Sequence, residues 1–366
     1  MMRPLVALLG RKDSPTDAVE QYCGYLGTAL QAHDFQLEVC RVPWEIHGWA
    51  EALNALRIQA ESWRGRWVLV QYTALAWSSR GFPFKFLRVL KVLKSAGARI
   101  AVVFHDAEPF RGPRMVERLR TRLQLHVMRR ALAGAELAVF TIPPEKISWI
   151  GRDSARARFI PVGPNLPIPV PAENALNSSS QNSGTPTIGV FTITGGEPGD
   201  RETSVIIAAV RHASEKVGKL RLCVFGRHAE LRESALCEGL QDLPAELSAE
   251  GVLDDQQVIE RICAADVLLF VRGAITSGRS SALAGIACGV PMIGYAGKQT
   301  AWPITEAGVV FVTPGNSDEL HEALVRVLCE PELRANLRRR NNQVYREHFS
   351  WPAIATRFAA LLKTAE

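Results

Sequence analysis

Few features of this sequence point to a secreted, membrane-spanning or metal-binding protein. Its seven cysteines include no C-x-x-C pair and no histidine at metal-ligand spacing, so we expect reduced core thiols of a cytosolic protein. A long uncharged stretch, residues 280–297, contains four glycines and a proline, which favours a helix followed by a buried strand over a membrane span. The first apolar run, residues 5–9, is too short for a signal peptide.

The familiar phosphate-binding motifs are missing as well. Residues 294–300 (GYAGKQT) lack the glycine spacing and the adjacent Lys-Ser/Thr of a Walker A loop. Residues 194–199 (TGGEPG) follow a predicted strand but lack the G-x-G-x-x-G spacing of a dinucleotide-binding turn. No Asp-x-Asp pair is present to hold a metal ion on a diphosphate. The sequence therefore argues against a P-loop NTPase and a Rossmann dehydrogenase, and we expect no required metal or cofactor.

The composition is that of a globular protein of two domains. The chain has 366 residues, of which 47% are hydrophobic and 22% charged, which excludes disordered, collagen-like and coiled-coil proteins. The net charge is +6, but residues 1–175 carry a net +9 and residues 176–366 a net −3. We therefore expect an anionic partner or surface for the first half alone.

Short β-rich apolar runs alternate with helix-period segments, which predicts an α/β protein with parallel sheets. A stretch rich in Pro, Asn and Ser, residues 167–186, predicts a linker between a first domain (residues 1–166) and a second (residues 187–352). Ligands of such sheets bind outside the carboxyl ends of the strands, so the cleft between two facing domains is the expected site. The predicted strands are residues 4–9, 36–42, 67–72, 99–105, 137–141, 158–162, 187–193, 220–225, 266–271, 290–295 and 309–312.

One loop has the residues of an anion site. Residues 271–289 (VRGAITSGRSSALAGIACG) lead from a buried strand through a Ser/Gly/Arg loop into an apolar helix. Gly278 permits close backbone approach, Ser280 and Ser281 can cap the helix, and Arg279 adds a positive charge beside its free N–H groups. The pattern predicts a diphosphate site, and an ordinary capped helix is the alternative.

Several segments of the second half, taken together, identify a protein family more specifically than any one of them does alone. They are residues 251–255 (GVLDD), 264–270 (AADVLLF), 283–291 (LAGIACGVP), 305–311 (TEAGVVF) and 345–351 (YREHFSW). Together they resemble the retaining GT-B glycosyltransferases of family 4, from about residue 187 to the end. The likeness in the first half is weaker and rests on residues 102–106 (VVFHD), 127–131 (VMRRA) and 159–165 (FIPVGPN).

The resemblance implies a GT-B fold, in which two Rossmann-like parallel-sheet domains face each other across a cleft. It implies a nucleotide-sugar donor in the second domain, contacted by Leu253 and by the anion loop, and a final helix, residues 353–366, that packs back on the first domain. The helix expected to open near Arg201 would supply a further cation for the diphosphate. The expected activity is transfer of a sugar, with retention, to a glycan or lipid-linked acceptor.

The sequence departs from this family at its Glu-x7-Glu pair, which in relatives holds the donor sugar and the ribose. Thr276 and Ala284 occupy the two positions, and neither supplies a carboxylate. This indicates either a subgroup with a rewired donor site or a non-catalytic relative that binds a nucleotide or a partner. An epimerase of the same architecture would need further acids that the sequence does not place.

In the first domain, residues 105–108 (HDAE) end a predicted strand. The resemblance implies that His105 meets the donor sugar and that Asp106 or Glu108 contacts donor or acceptor; a histidine satisfied within a loop is the alternative. Gly10 lies where relatives carry a glycine-rich loop and is the candidate for backbone contact with a substrate. Arg11 and Lys12 beside it can meet an anionic acceptor or remain solvated.

The basic surplus of the first half is concentrated in residues 82–130. Residues 82–94 interleave four cations with apolar residues at helical spacing, and residues 111–130 contain seven arginines and one acid. A basic amphipathic face predicts peripheral docking on anionic lipid at the inner face of the membrane, with a solvated helix face as the alternative. No nucleic-acid-binding module is present, so no nucleic-acid partner is expected.

Overall fold

The computed structural model describes residues 2–14, 16–151, 155–170 and 184–364. The chain forms two units: Met1–Val162 together with Trp351–Glu366, and Gly163–Ser350. The predicted linker lies mostly outside the described residues. Its first residues are held within the second unit, where the Tyr345 hydroxyl donates a hydrogen bond to Ile168 O over 2.9 Å. The first unit thus ends at Val162, before the predicted boundary at residue 166.

The first unit is built on a parallel sheet of six strands in the order β2-β1-β3-β4-β5-β6. The central strand β3 is buried along its whole length, as expected for a parallel sheet covered on both faces. The strands are β1 (Arg3–Leu9), β2 (Phe35–Arg41), β3 (Trp67–Tyr72), β4 (Arg99–Phe104), β5 (Leu137–Phe140) and β6 (Ala157–Phe159). The helices between them are α1 (Ala18–Leu30), α2 (Trp44–Ala60), α3 (Phe86–Ser95) and α4 (Met115–Gly134).

The second unit repeats this plan, with a parallel sheet in the order β12-β11-β10-β7-β8-β9. The strands are β7 (Thr187–Phe191), β8 (Leu220–Phe225), β9 (Ala245–Glu250), β10 (Val267–Ala274), β11 (Met292–Tyr295) and β12 (Val309–Val312). The helices are α5 (Glu197–Val217), α6 (Glu233–Leu240), α7 (Asp255–Cys263), α8 (Ser280–Ala287), α9 (Ser317–Cys329) and α10 (Pro331–Val344). The predicted α/β class with parallel sheets is confirmed.

The last helix, α11 (Trp351–Thr364), belongs to the first unit. The ring of Trp351 stacks on Tyr25 and meets Tyr22 edge-on, and both tyrosines lie on α1. Its buried face includes Ile354 and Phe358. The chain therefore leaves the first unit after Val162 and returns to it at Trp351.

The prediction of core cysteines is wrong at three positions. All seven thiols are free, and Cys23 and Cys40 are buried, but Cys237, Cys263 and Cys329 are exposed. The exposed ones lie on α6, α7 and α9. None of the described helices is both long enough and apolar enough to cross a membrane.

Candidate functional site

The order of the strands marks one switch point in each sheet. In the first unit the chain runs from β1 to β2 and then crosses to β3 on the other side of β1. In the second unit it runs from β7 through β8 to β9 and then crosses to β10 on the other side of β7. Loops diverge at such points, and ligands of open parallel sheets bind in the crevice that they leave at the carboxyl ends.

A cavity of about 490 Å³ lies at the switch point of the first unit. The segments after β1, β3 and β4, together with the amino end of α1 and one face of α4, form its wall. Gly10 and Asp106 are among its lining residues, whereas His105 and Glu108 are not. The structure thus brings two of the four predicted first-domain residues to one cavity.

Gly10 allows the loops after β1 and β3 to touch. A Cβ atom at this position would lie 2.2 Å from Ala76 O, a distance that no side chain tolerates. The next residue, Arg11, donates its backbone N–H to the same carbonyl over 2.9 Å. Glycine is therefore required here for the close approach of two backbone segments, and this contact shapes one wall of the cavity.

His105 follows β4 and is fixed by Gln71 at the end of β3. Gln71 Nε2 donates to Leu69 O over 3.1 Å, so its Oε1 is the acceptor for His105 Nε2, 2.8 Å away. Nε2 therefore carries the proton in the neutral ring and Nδ1 does not. Burial lowers the pKa of His105 to about 4, against an opposing effect of Asp17, so the ring is neutral at pH 7.

Asp106 lines the cavity with a half-buried carboxylate. Its Oδ2 accepts the backbone N–H of Ala74 over 2.9 Å, and burial raises the pKa of Asp106 above its ordinary value. Glu108 is differently engaged, because Ser148 donates to both of its carboxylate oxygens and Arg111 lies 3.2 Å away. The geometry leaves Asp106 facing the cavity and gives Glu108 a bracing contact between two loops.

Three arginines and one acid meet around the switch point of the second unit. Arg272, on β10, donates to Thr192 Oγ1, just beyond β7. Burial lowers the pKa of Arg272, and the nearby positive charges of Arg279 and Arg227 add to this effect, while Glu202 opposes it. Arg272 Nε is buried without a hydrogen-bond partner among the described residues. Arg272 and Arg279 bring two half-buried positive charges close to each other, and a bound anion would offset them.

An irregularity in β10 turns Arg272 toward this cluster. The pairing of β10 with β11 is interrupted between Phe270 and Ala274, and Gly273 within it has a φ of 82°. A β-bulge of this kind re-aims a side chain near a site. The sequence does not single out Arg272, although it is the second residue of the anion loop, because its partner Thr192 lies 80 residues away in the chain.

The predicted anion loop reaches the same place. Arg279 precedes the first residue of α8, and burial lowers the pKa of its guanidinium, against an opposing effect of Glu202. The first-turn N–H groups of α8, at Ser280 and Ser281, have no acceptor within the helix. Gly278 donates its own N–H to Thr276 Oγ1 over 3.4 Å. Loop, helix end and guanidinium groups together form a candidate anion site.

The two positions at which the resemblance implies glutamates are both buried. Thr276 is 9% exposed and Ala284, inside α8, is 1% exposed. A carboxylate at the second position would be buried in this packing. Residues 282–287 of α8 are all buried, so this part of the helix is tightly packed.

Two other predicted donor residues lie on other segments of the second unit, α5 and the loop after β9. The helix expected to open near residue 201 begins at Glu197, because Gly196 has a φ of 66° and Pro198 occupies the first turn. Arg201 is consequently in the second turn, where it pairs with Glu197 over 2.5 Å on an exposed surface. Leu253 is partly exposed in the loop between β9 and α7.

Among the described residues, no group of three or more His, Cys, Asp or Glu side chains is arranged to hold a metal ion. The chain matches no protein-family model and no curated protein. Solved structures nevertheless match it over almost its whole length. Sucrose-phosphate synthase from Thermosynechococcus elongatus is 18% identical, with a TM-score of 0.70 over 99% of this chain and 98% of that one. HepE from Anabaena, solved with UDP and glucose, is 13% identical, with a TM-score of 0.66 over 99% and 100%.

A further match is WaaG, a glycosyltransferase involved in lipopolysaccharide biosynthesis, which is 14% identical with a TM-score of 0.59 over 98% and 99%. The fold is GT-B. In this GT-B chain the two switch points carry different chemistry. The first has a cavity with Asp106, and the second has a cluster of arginines beside a helix end.

Proposed function

We propose that this protein is a glycosyltransferase that takes a sugar from a nucleotide-sugar and transfers it with retention to a glycan or lipid-linked acceptor. The observation that carries the proposal is the arginine cluster at the switch point of the second unit. In a GT-B fold, a site for a diphosphate there serves a nucleotide-sugar donor. HepE, a protein of this fold, was solved with UDP and glucose, and WaaG is named as a glycosyltransferase.

Stabilisation of the leaving diphosphate is the main catalytic contribution in this proposal. Arg272, Arg279 and the N–H groups of Ser280 and Ser281 are fixed before the donor arrives, so they cost little reorganisation when negative charge develops. No metal ion or other cofactor is needed for this role. Leu253, Gly278 and Arg201 remain predicted donor contacts, of which Arg201 would have to leave Glu197.

His105 and Asp106 serve the sugar and the acceptor. His105 is a neutral ring whose Nε2–H is held by Gln71, so it offers orientation rather than positive charge. Asp106, with a raised pKa, faces the cavity and can accept a hydrogen bond from an acceptor hydroxyl. Positioning of this kind can supply a large part of a rate enhancement. Gly10 shapes the cavity wall, and Glu108 contributes by bracing residues 106–110.

A panel of UDP, GDP, ADP and their sugars, read by thermal shift, tests the donor site, because a ligand of the folded state raises its apparent stability. One nucleotide class should raise the midpoint in the wild type and not in Arg272→Gln/Arg279→Gln. The matched control is Arg326→Gln, which removes an exposed arginine paired with Glu330 on α9. Equal shifts in all three proteins would exclude the arginine cluster as the site.

A non-catalytic nucleotide-binding relative is the second candidate, favoured by Thr276 and Ala284 in place of the glutamates. Turnover separates the two candidates. The transferase releases nucleoside diphosphate from the nucleotide-sugar that the thermal-shift panel identifies, either by transfer or by slow hydrolysis. Binding without any release over many hours, with a full set of sugar acceptors, would favour the non-catalytic protein.

We also propose that the protein works in the cytoplasm and docks on anionic lipid through residues 82–130. The first turns of α4 expose Met115, Val116 and Leu119, at 87%, 50% and 50%, between arginines. Apolar side chains interleaved with cations suit the boundary of an anionic membrane. Flotation with phosphatidylglycerol vesicles at low salt should carry the wild type and Ile58→Ser, an exposed apolar control on α2, but not Met115→Ser/Leu119→Ser. No flotation of the wild type would remove this idea.

A further inference from the structure

Two arginines, Arg80 and Arg120, are among the residues that line the first-unit cavity. Arg80 and Arg120 form no salt bridge with any described residue, and Arg120 Nε is buried without a hydrogen-bond partner there. The guanidinium of Arg120 lies 5.5 Å from the ring centre of Phe82, which compensates part of its charge. A buried donor with no acceptor is costly, so such a group in a cavity wall favours an anionic ligand.

The side chain of Arg120 is held in this place by its neighbours. Gln124, one helical turn further along α4 and 2% exposed, donates to Gly81 O over 2.8 Å and accepts from the Phe110 backbone over 2.6 Å. Gly81 has a φ of 73°, and a Cβ atom there would lie 3.1 Å from Arg120 Cδ. The loop thus crosses directly over the arginine, and the site is preformed.

The other charges of the cavity wall are mostly satisfied within the protein. Asp17 pairs with Arg41 over 3.1 Å and caps α1, and Arg11 pairs with Glu45 over 3.4 Å. Asp106 accepts a backbone N–H, and Asp13 accepts the N–H of Ser14. The cations that remain for a ligand are Arg80 and Arg120.

The cavity is larger than a free phosphate ion requires, and part of its lining is apolar. Its volume of about 490 Å³ suits an organic ligand, and the lining residues Phe110 and Leu75 are 65% and 47% exposed. Apolar surface beside unpaired guanidinium groups fits a molecule with an anionic head and an organic body. We infer that the acceptor of this enzyme carries a phosphate or diphosphate group, which Arg80 and Arg120 bind. This inference rests on the proposed transferase function.

Pyrophosphate is the first probe, measured by isothermal titration on the full chain. Because the arginine cluster of the second unit also binds diphosphate in our proposal, the titration is done in the Arg272→Gln/Arg279→Gln background. Pyrophosphate should bind this protein at about one per chain. Adding Arg80→Gln/Arg120→Gln should weaken the binding at least tenfold, as loss of charge-assisted contacts predicts. Adding Arg64→Gln/Arg66→Gln, which removes two exposed arginines at the opposite end of β3, should change it less than twofold.

Two further probes distinguish the sources of the phosphate. Farnesyl diphosphate represents a lipid-linked acceptor and glucose 6-phosphate a soluble one. The probe that binds more tightly indicates the class of acceptor, provided that Arg80→Gln/Arg120→Gln weakens its binding. Pyrophosphate binding that survives this double substitution in a folded protein overturns the inference. Failure of the proposed function would give a different result. The wild type would then bind no nucleotide, whereas pyrophosphate binding would still depend on Arg80 and Arg120.

Discussion

His105 Nε2 lies 2.8 Å from Gln71 Oε1, and this contact joins the ends of two adjacent strands, β4 and β3. The Gln71 oxygen accepts the Nε2–H of the ring, and burial disfavours a second proton on Nδ1, so His105 remains neutral. The consequence for acid stability has a definite sign. A histidine whose folded pKa is lowered binds its second proton first in the unfolded chain, so stability is present above pH 6.5 and is lost as the pH falls toward 4.

We therefore predict that His105→Gln makes the protein less acid-sensitive. With pKa values of 6.5 unfolded and about 4 folded, this one residue accounts for about 2 kcal/mol of the loss between pH 7 and pH 5. Urea denaturation of wild type and variant at both pH values measures the difference. Equal losses in the two proteins would mean that His105 titrates normally.

Gly10 should tolerate no side chain, because of its contact with Ala76 O. We expect Gly10→Ala to lower the free energy of unfolding by about 1–3 kcal/mol, as overpacking does. Gly24 on α1 is the matched control, since a Cβ atom there meets nothing within 4 Å. In a helix, Gly24→Ala should stabilise by about 0.5–1 kcal/mol. Opposite signs for two Gly→Ala changes in one unit, measured by urea denaturation, would establish the close contact.

Arg279→Gln should affect stability and binding in opposite directions. Without ligand, removing one cation from the cluster around Arg272 relieves repulsion, so we expect a gain of up to about 1 kcal/mol. With a bound nucleotide, loss of a charge-assisted contact should cost about 1.5–3 kcal/mol of affinity. Thermal unfolding with and without nucleotide measures both. A variant that is less stable without ligand would show that Arg279 has a structural partner instead.

Cys263, at the end of α7, should be a reactive thiol. A hydrogen bond from Cys288, with the positive charge of Arg338, lowers the pKa of Cys263 from 9.0 to about 7. Alkylation by iodoacetamide, followed residue by residue with mass spectrometry, should then rise around pH 7 and level off above it. Cys288→Ala should move that rise to higher pH and leave the alkylation rate of Cys237 unchanged. No movement would exclude the contact between the two sulfurs.

The bounds of strands and helices could be predicted where a local sequence pattern, such as an apolar run or a capping residue, marks them. The strands β3, β8 and β12 coincide with short, mostly apolar runs, so their bounds could be predicted to the residue. The edge strand β9 was missed because its sequence, AELSAE, is polar and it pairs with β8 alone. The start of α5 was misplaced by four residues, since a glycine and a proline, rather than a polar cap, begin that helix.

Residues of the candidate sites could be predicted only where they lie together in one continuous segment of the sequence. The candidate anion loop of residues 271–289 is continuous in sequence, so its residues could be proposed from the sequence alone. The contacts of Arg272 with Thr192 and of Gln71 with His105 span 80 and 34 residues, and no local pattern reveals them. From the sequence, Arg120 is only one of several arginines that make residues 82–130 basic. Its position beneath the loop at Gly81 is evident only from the packing of α4 against that loop.

The position of α11 has a consequence for the order in which the protein matures on the ribosome. All residues of the second unit are synthesised before Trp351, whereas the first unit lacks the partner of Tyr22 and Tyr25 until α11 has emerged. The unit that is translated first is therefore completed last. During that interval the α1 surface is open to other proteins, and a ribosome stalled near residue 350 would release a chain with a finished second unit and an unfinished first one.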